Sequence, residues 1–483
     1  MYSPAMPDSS LPNFNELHFG EIDASQEASE TPELLTRGYY DFREAAYGLQ
    51  TGGVWVLLGP KGSGKSAVLE NIRLTWRHDA RRFYSAWDLS GFPVNDVTRI
   101  PMGQTAGASR SQAAWEFLLL LHIVGSLAED QGLTAPTSFD AMVKGLRKEG
   151  LLSGNWTSRV ANWSSLTLKF DAKIFGAERS YNSGVITPLE ASAHIRSVLS
   201  EVRTESRHMI ALDGLDSFFF EADDEWTSLA GLVQAVYGIN TEMTQLELPV
   251  TVAAAMRSDI IDVLPGPNVN KVKSKAIYLD WHARGIGANN HLWQLLSNKA
   301  AVARPVVRNI VNQYLKTPVS IGPHTDLAEY FLDNTRLLPR DAVALMGYVQ
   351  RFYKGNKGVT EHAAKNAVRA YAEEYFVGEI FDNLAGILPS ARAREIASFK
   401  EALRTAPSRF FTFDYLKEEL SGELDPADIK KLLKQMFEVG GIAVRNGGYT
   451  DFVFRRVSGA GFSTRYEFLL HDALTRAWNR PWR

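Results

Sequence analysis

The chain contains no cysteine, which removes disulfides, thiolate metal sites and cysteine nucleophiles in one step and suits a reducing compartment; a cytoplasmic address is therefore expected. Long apolar runs are missing too. The most apolar window, Ala113 to Ala128, is broken by Glu116 and His122 and is too short to cross a bilayer, so no membrane partner is expected. The opening residues MYSPAMPDSSLPNF carry no basic cluster followed by an apolar stretch and do not read as a secretory signal. Charge of one sign is also lacking. A net value of -3 gives no general attraction to nucleic acid, so such binding would need a local patch. What is present is ordinary globular material, 45% apolar and 11% aromatic over 483 residues. That is enough for large cores in about two to four domains.

Residues 1–36 are rich in Ser, Pro and Glu with one apolar island at Leu17 to Ile22, the pattern of a locally packing tail. From Tyr39 the pattern changes. A helical stretch to Gln50, an apolar strand Val54 to Leu58, a glycine-rich turn and a helix from about Ser66 to His78 open an α/β unit. Further strands are expected at Phe83 to Leu89, Met209 to Leu212, Val250 to Ala255 and Ala276 to Leu279, alternating with helices as in a parallel sheet covered on both faces. Residues 91–112 read as loop, and 150–186 as an insertion whose core, SLTLKFDAKIF, alternates like a β-ribbon. Helical patterns then run from Asn290 to about Leu388. The last segment reads as three helices (Ile396 to Leu403, Phe413 to Leu420, Pro426 to Val439), two strands around Asn446-Gly447-Gly448 and a final helix beginning in Phe468 to Leu474. With Asp425 as N-cap and Gly440-Gly441 as a stop, this order is that of a winged helix-turn-helix. No internal repeat is present. The expected architecture is thus a P-loop NTPase core with a parallel β-sheet (37–285), an α-helical lid domain (286–394) and a C-terminal winged helix (395–483).

The specific motif is Gly59-Pro60-Lys61-Gly62-Ser63-Gly64-Lys65-Ser66, followed by Ala67, which fits G-x4-G-K-[ST] between a buried strand and a helix. Glycines let successive backbone N–H groups curl around phosphate oxygens, and the helix start offers its positive end to the same anion. Lys65 is expected to reach the β- and γ-phosphates of ATP or ADP, and Ser66 to give one oxygen to Mg2+.

Met209-Ile210-Ala211-Leu212 ends in Asp213-Gly214-Leu215-Asp216, an apolar strand delivering a carboxylate to the mouth of a phosphate site. Asp213 is the candidate for the Mg2+ ion. Gly214 stands where a glutamate usually orients the attacking water, which leaves Asp216 as the candidate base and implies slow hydrolysis. The strand Val250 to Ala255 runs into Arg257, placed to detect a γ-phosphate. Leu337-Leu338-Pro339-Arg340-Asp341 opens a helix, with Pro339 a candidate to lie against adenine and Arg340 to reach phosphate; a helix start with a solvated arginine fits the same residues. His471 and Asp472 come near the last helix. Such a histidine, by itself, more often packs than binds a ligand.

In order, GPKGSGKS, LDGLD, AAMRS, LLPRDAVAL and LLHDAL resemble the signature series of STAND ATPases, the NACHT and NB-ARC class of nucleotide switches, and a bacterial family of P-loop ATPases with KGSGKSA loops. The origin-recognition AAA+ ATPases share the winged-helix end and are the nearest competitor. Leu337 replaces the first glycine of the G-L-P-L segment, Leu470 replaces the methionine of M-H-D, and the large repeat sensor that usually follows the switch is not expected. The resemblance implies that ADP, contacted through its β-phosphate by His471, holds the winged helix closed. Exchange for ATP then opens it for assembly into a homo-oligomer. It also implies a regulatory role, in anti-phage defence, with a separately encoded protein effector. The competing reading is an ATPase that binds duplex DNA through Lys430, Lys431 and Lys434 on the helix Pro426 to Val439, with Arg445, Arg455 and Arg456 on the wing. Against it, residues 395–483 hold 14 Lys plus Arg and 12 Asp plus Glu, and Glu418, Glu419 and Glu423 lie on the approach.

Overall fold

Strands form wherever short runs of β-branched and small apolar residues escape the helical period, and five of these runs align in one sheet. The computed structural model describes residues 11–103, 107–152, 160, 170–175, 185–215, 223–261, 264, 269–282, 289–355, 358–389, 392–455 and 461–480. By their packing these fall into two units. One holds 41–61 and 65–279; the other holds 1–40, 62–64 and 280–483.

The first of these carries β1 (Val56–Leu58), β2 (Arg82–Asp88), β3 (Phe170–Asp171), β4 (Val185–Ile186), β5 (Arg207–Asp213), β6 (Val250–Met256) and β7 (Ala276–Tyr278). Five strands make an all-parallel sheet in the order β2-β5-β6-β1-β7, as the α/β reading of the sequence expects. The strand positions agree with the sequence reading to within two residues. The chain leaves β1 for the far edge, returns through β5 and β6, and then passes β1 to reach β7, so a topological switch point lies beside β1. Of the expected ribbon, residues 165–169 lie outside the described residues; β3 and β4 pair antiparallel, and Ala172–Phe175 turns in a 3-10 helix.

Residues 107–112, expected as loop, already belong to the helix Gly107–Leu127. Its first turns are held by Ser111 Oγ and Trp115 Nε1, which donate to the Ser228 carbonyl at 3.3 and 3.0 Å and so fix it against the helix Asp223–Gln245. No local pattern announces those bonds. Among the described residues no helix is long and apolar enough to cross a membrane.

In the other unit the helices His291–Ala303, Leu327–Asp333, Pro339–Phe352, Glu361–Tyr371 and Val377–Asp382 follow one another, with a π-turn at Ala372–Phe376 between the last two. Three more helices (Ala393–Thr405, Phe413–Glu419, Pro426–Glu438) precede a four-stranded sheet. Its strands are β8 (Phe410–Phe411), β9 (Ile442–Asn446), β10 (Tyr449–Asp451) and β11 (Glu467–Leu470), in the order β10-β9-β11-β8. The helix Pro426–Glu438 earns its place through Ile429, Leu432, Leu433, Met436 and Phe437, an i, i+3, i+4, i+7, i+8 stripe that is wholly buried. Asp425 sits at its N-cap position without a side-chain cap bond.

A second boundary departs from expectation. Phe468 to Leu470 is strand, not helix, because β11 is paired on both sides, with β9 and β8, and the last helix begins only at Asp472.

The amino-terminal stretch read as a tail is tied to partners remote in sequence. Phe14, Leu17 and Phe19 are buried, the Tyr314 hydroxyl donates to the Pro12 carbonyl at 2.8 Å, and Gln350 Nε2 donates to the Leu17 carbonyl at 2.7 Å. Two short helices, Ala24–Glu30 and Pro32–Thr36, follow. Glu27, itself buried, receives the buried ammonium of Lys299 and the Glu21 N–H at 2.7 Å. Burial lowers the pKa of Lys299, and the Glu27 carboxylate opposes that shift. Removing one partner of a buried pair strands the other charge. Lys299→Met is therefore expected to lower unfolding stability by about 3 to 5 kcal/mol, with much of the loss recovered in Glu27→Gln/Lys299→Met. Denaturant titration of the three proteins measures both quantities, and a single variant as stable as wild type would refute the role of the pair.

Candidate functional site

At the carboxyl end of the fully buried β1, Gly59 donates its N–H to the Met256 carbonyl of β6 at 3.3 Å, and the chain turns through the glycine-rich loop into the helix Lys65–Trp76. Gly62 and Gly64 have φ of +86° and +93°, backbone that L side chains rarely adopt. Space confirms the need at Gly62, where an added Cβ would lie 3.2 Å from Arg340 Cβ. Lys65 is 3% exposed, and its Nζ donates to the Gly59 and Pro60 carbonyls at 3.2 and 3.1 Å, which holds the ammonium over its own loop. Ser66 and Ala67 are half-buried in the first helical turn. Ser63 is fully buried and, among the described residues, its Oγ has no hydrogen-bond partner. A buried hydroxyl, two left-handed glycines and the first N–H groups of a helix together fit an oxygen-rich anion such as a nucleotide phosphate.

Sheet order brings three of the sequence candidates to one edge. β6 lies between β1 and β5, with Leu58 opposite Met256 and Leu212 opposite Ala254, so Gly59, Arg257 and Asp213 all emerge from the same ends of parallel strands. Two strand spacings put β1 and β5 about 10 Å apart. Asp213 Oδ1 accepts the Gly214 N–H at 2.8 Å, and its carbonyl accepts the Leu89 N–H at 2.8 Å. Burial, together with the nearby Glu70 and Asp213 carboxylates, raises the pKa of the Tyr84 phenol. Arg257 is engaged by Asp259 in two bonds, of 3.0 and 2.6 Å. Asp216 lies outside the described residues.

A carboxylate absent from the sequence reading stands next to Asp213. Asp88 is its register partner on β2 and is held by the Ser90 N–H and hydroxyl at 2.8 and 2.7 Å. It explains Gly214: a Cβ there would come within 2.4 Å of Asp88 Oδ1, at a φ of +84°. No motif marks Asp88, because the pairing of β2 with β5 is what brings it in.

The segment Thr335 to Asp341 is organised around a buried ion pair. Arg336 donates through Nε and Nη2 to the Asp341 carboxylate at 2.8 and 2.6 Å, and its backbone N–H adds a third bond at 2.9 Å. Burial alone would raise the Asp341 pKa, but the Arg336 guanidinium overrides it and holds the carboxyl below its ordinary value. Leu337, where the resembling families have glycine, takes a φ of +55°. That backbone costs a side chain about 1 to 2 kcal/mol. Burying the Leu337 side chain to 3% exposure offsets it, by about 1.5 to 3 kcal/mol. Pro339 then starts the helix, 3.8 Å from where a Gly64 Cβ would stand, and the Arg340 N–H donates to the Gly62 carbonyl at 3.3 Å. Gly62, Gly64, Pro339 and Arg340 are thus brought together.

His471 is placed differently from what the resemblance implies. Its Nδ1 accepts the Ala473 N–H at 3.1 Å, capping the last helix, so Nε2 carries the proton and donates to the Thr335 carbonyl at 3.2 Å. The ring stacks on Phe376 at 4.6 Å, and burial pushes its pKa down to about 3. Both ring nitrogens are used by protein, and the ring is neutral at physiological pH.

No family profile matches the chain, and no curated protein matches it. Among solved structures it is similar to the crystal structure of Cdc6p from Pyrobaculum aerophilum, with 12% sequence identity and a TM-score of 0.31, covering 99% of this chain and 97% of that one.

Proposed function

We propose that the chain binds Mg-ATP and ADP through Gly59 to Ala67 and acts as a slowly hydrolysing, nucleotide-dependent switch. One observation carries the reading: a glycine loop with the G-x4-G-K-[ST] pattern stands at the switch point of a parallel sheet, between a buried strand and a helix start. In this reading Lys65 faces the β- and γ-phosphates, Ser66 and Asp213 hold Mg2+, and Arg257 and Arg340 supply cations at the phosphate end. Held by these residues, ATP would supply the phosphoanhydride and Mg2+ would neutralise charge on its oxygens. The absence of a glutamate at position 214 supports slow turnover.

The carboxyl-terminal helices and four-stranded sheet are read as a winged helix with an internal role, supported by where its cations are spent. Arg455 pairs with Asp333 at 2.7 Å, Arg445 with Glu467 at 3.0 Å and Lys431 with Asp428 at 3.0 Å. Lys430 and Lys434 are exposed, but so are Glu418, Glu419 and Glu423, and Arg456 lies outside the described residues. Duplex binding relies on many phosphate contacts made by uncommitted cations, so these pairs favour the switch over the DNA-binding alternative. A regulatory role in defence, a homo-oligomer in the ATP state and a separate effector follow from the STAND resemblance alone.

Lys65→Ala removes a charge-assisted bond of about 1.5 to 3 kcal/mol, so the Kd for Mg-ATP is expected to rise about 10- to 150-fold. Titration with a fluorescent ATP analogue measures this, and an unchanged Kd sinks the nucleotide assignment. Asp213→Asn is expected to leave affinity within a few-fold while lowering phosphate release on the order of 100-fold, because metal positioning acts mainly on the reacting state. Equal turnover would mean that another carboxylate holds the metal.

His471→Ala loses a helix cap and leaves a buried carbonyl unpaired, which together cost about 2 to 4 kcal/mol of stability. The expected result is a lower melting temperature with an unchanged ratio of ADP to ATP affinity. A shifted ratio would instead restore a phosphate contact for this histidine.

A further inference from the structure

Glu379 lies on the helix Val377–Asp382, immediately after the π-turn, and has no part in any motif. One of its oxygens, Oε2, faces two guanidinium groups: Arg336 Nη2 at 3.4 Å and Arg340 Nη1 at 3.8 Å. The two arginines are not equivalent. Arg336 is buried and already neutralised by the bidentate Asp341, so the charge of Glu379 is redundant for it. Arg340 is 25% exposed on its side chain, and among the described residues its ion pair is this single long one. Its backbone, by contrast, is fixed on Gly62 of the phosphate loop. The side chain is therefore free to choose between Glu379 and any anion that the loop holds.

We propose that Glu379 is a positioning residue for Arg340, competing with the nucleotide for its guanidinium and thereby setting how strongly the site prefers the triphosphate. This rests on the nucleotide-binding reading above. A partly exposed pair at this distance is weak enough to be exchanged for phosphate yet strong enough to be felt as a few-fold change in affinity. Because Glu379 acts on Arg340, its influence vanishes when that arginine is removed. ATP, with one more charged phosphate than ADP, gains more from a released guanidinium.

The experiment is a double-mutant cycle on the full chain. Wild type, Glu379→Gln, Arg340→Ala and the double variant are titrated with Mg-ATP and with Mg-ADP, and the melting temperature of each nucleotide-free protein is recorded. The expected result is that Glu379→Gln tightens Mg-ATP about two- to fivefold, tightens Mg-ADP less, and changes neither in the Arg340→Ala background. An equal change in both backgrounds, or a lower melting temperature with no change in affinity, overturns the proposal and leaves Glu379 as packing for Arg336. If Glu379→Gln does not fold, Glu379→Asp draws the carboxylate back by one methylene while keeping charge near Arg336, and carries the same comparison. Failure of wild type to bind Mg-ATP overturns the nucleotide reading and this proposal with it. Lys65-dependent binding without coupling between residues 379 and 340 overturns the proposal alone.

Discussion

The pair between Arg336 and Asp341 is the constraint on which the helical side of the phosphate loop depends. Two side-chain bonds and one backbone bond close a ring of six residues in the interior. Within that ring the chain has few options: it must pass through a left-handed residue at Leu337 and enter the helix at Pro339. Buried ion pairs add little net stability, since desolvation consumes most of the attraction, but a broken one is heavily penalised. The pair therefore acts as a selector of geometry. It allows one path for residues 336–341, and on that path the Arg340 amide meets Gly62.

The same pair links the loop to the carboxyl-terminal sheet without a continuous run of secondary structure. Arg336 lies over the Phe376 ring at 5.6 Å, and Phe376 stacks on His471, which bonds the Thr335 carbonyl. The π-turn at Ala372–Phe376 brings Phe376 into this stack and leads directly into the helix carrying Glu379. A histidine that caps a helix and braces Thr335 transmits position by packing. Neutral and dry, it does so without a change of charge.

The core was readable in the sequence because its signals are local. An apolar strand, a glycine loop and a helix start occupy adjacent residues, and the stripe of Pro426–Glu438 repeats at the helical period. What escaped reading was built by long-range pairing. Asp88 reaches Asp213 only through β2 and β5, Glu379 meets Arg340 only through the packing of two separate helices, and Gln350 anchors Leu17 from more than 300 residues away. The four residues of β11, Glu467–Leu470, suit either period by themselves, and its neighbours β8 and β9 decide the matter. Leu337 is the instructive intermediate. The resemblance marks its position as one for glycine, and the backbone keeps the glycine-like angle although the side chain has changed.

The outer bonds of the phosphate loop have a further consequence. The Gly62 carbonyl is held by the Arg340 amide and the Ser63 carbonyl by the Trp281 indole at 2.8 Å. A trans peptide is planar and carries its C=O and N–H on opposite sides. Fastening those two carbonyls therefore turns the Ser63 and Gly64 amide hydrogens the other way. The loop's donors are aimed by residues more than 200 positions downstream, so the entropy of ordering them is spent during folding and is not charged again when an anion arrives.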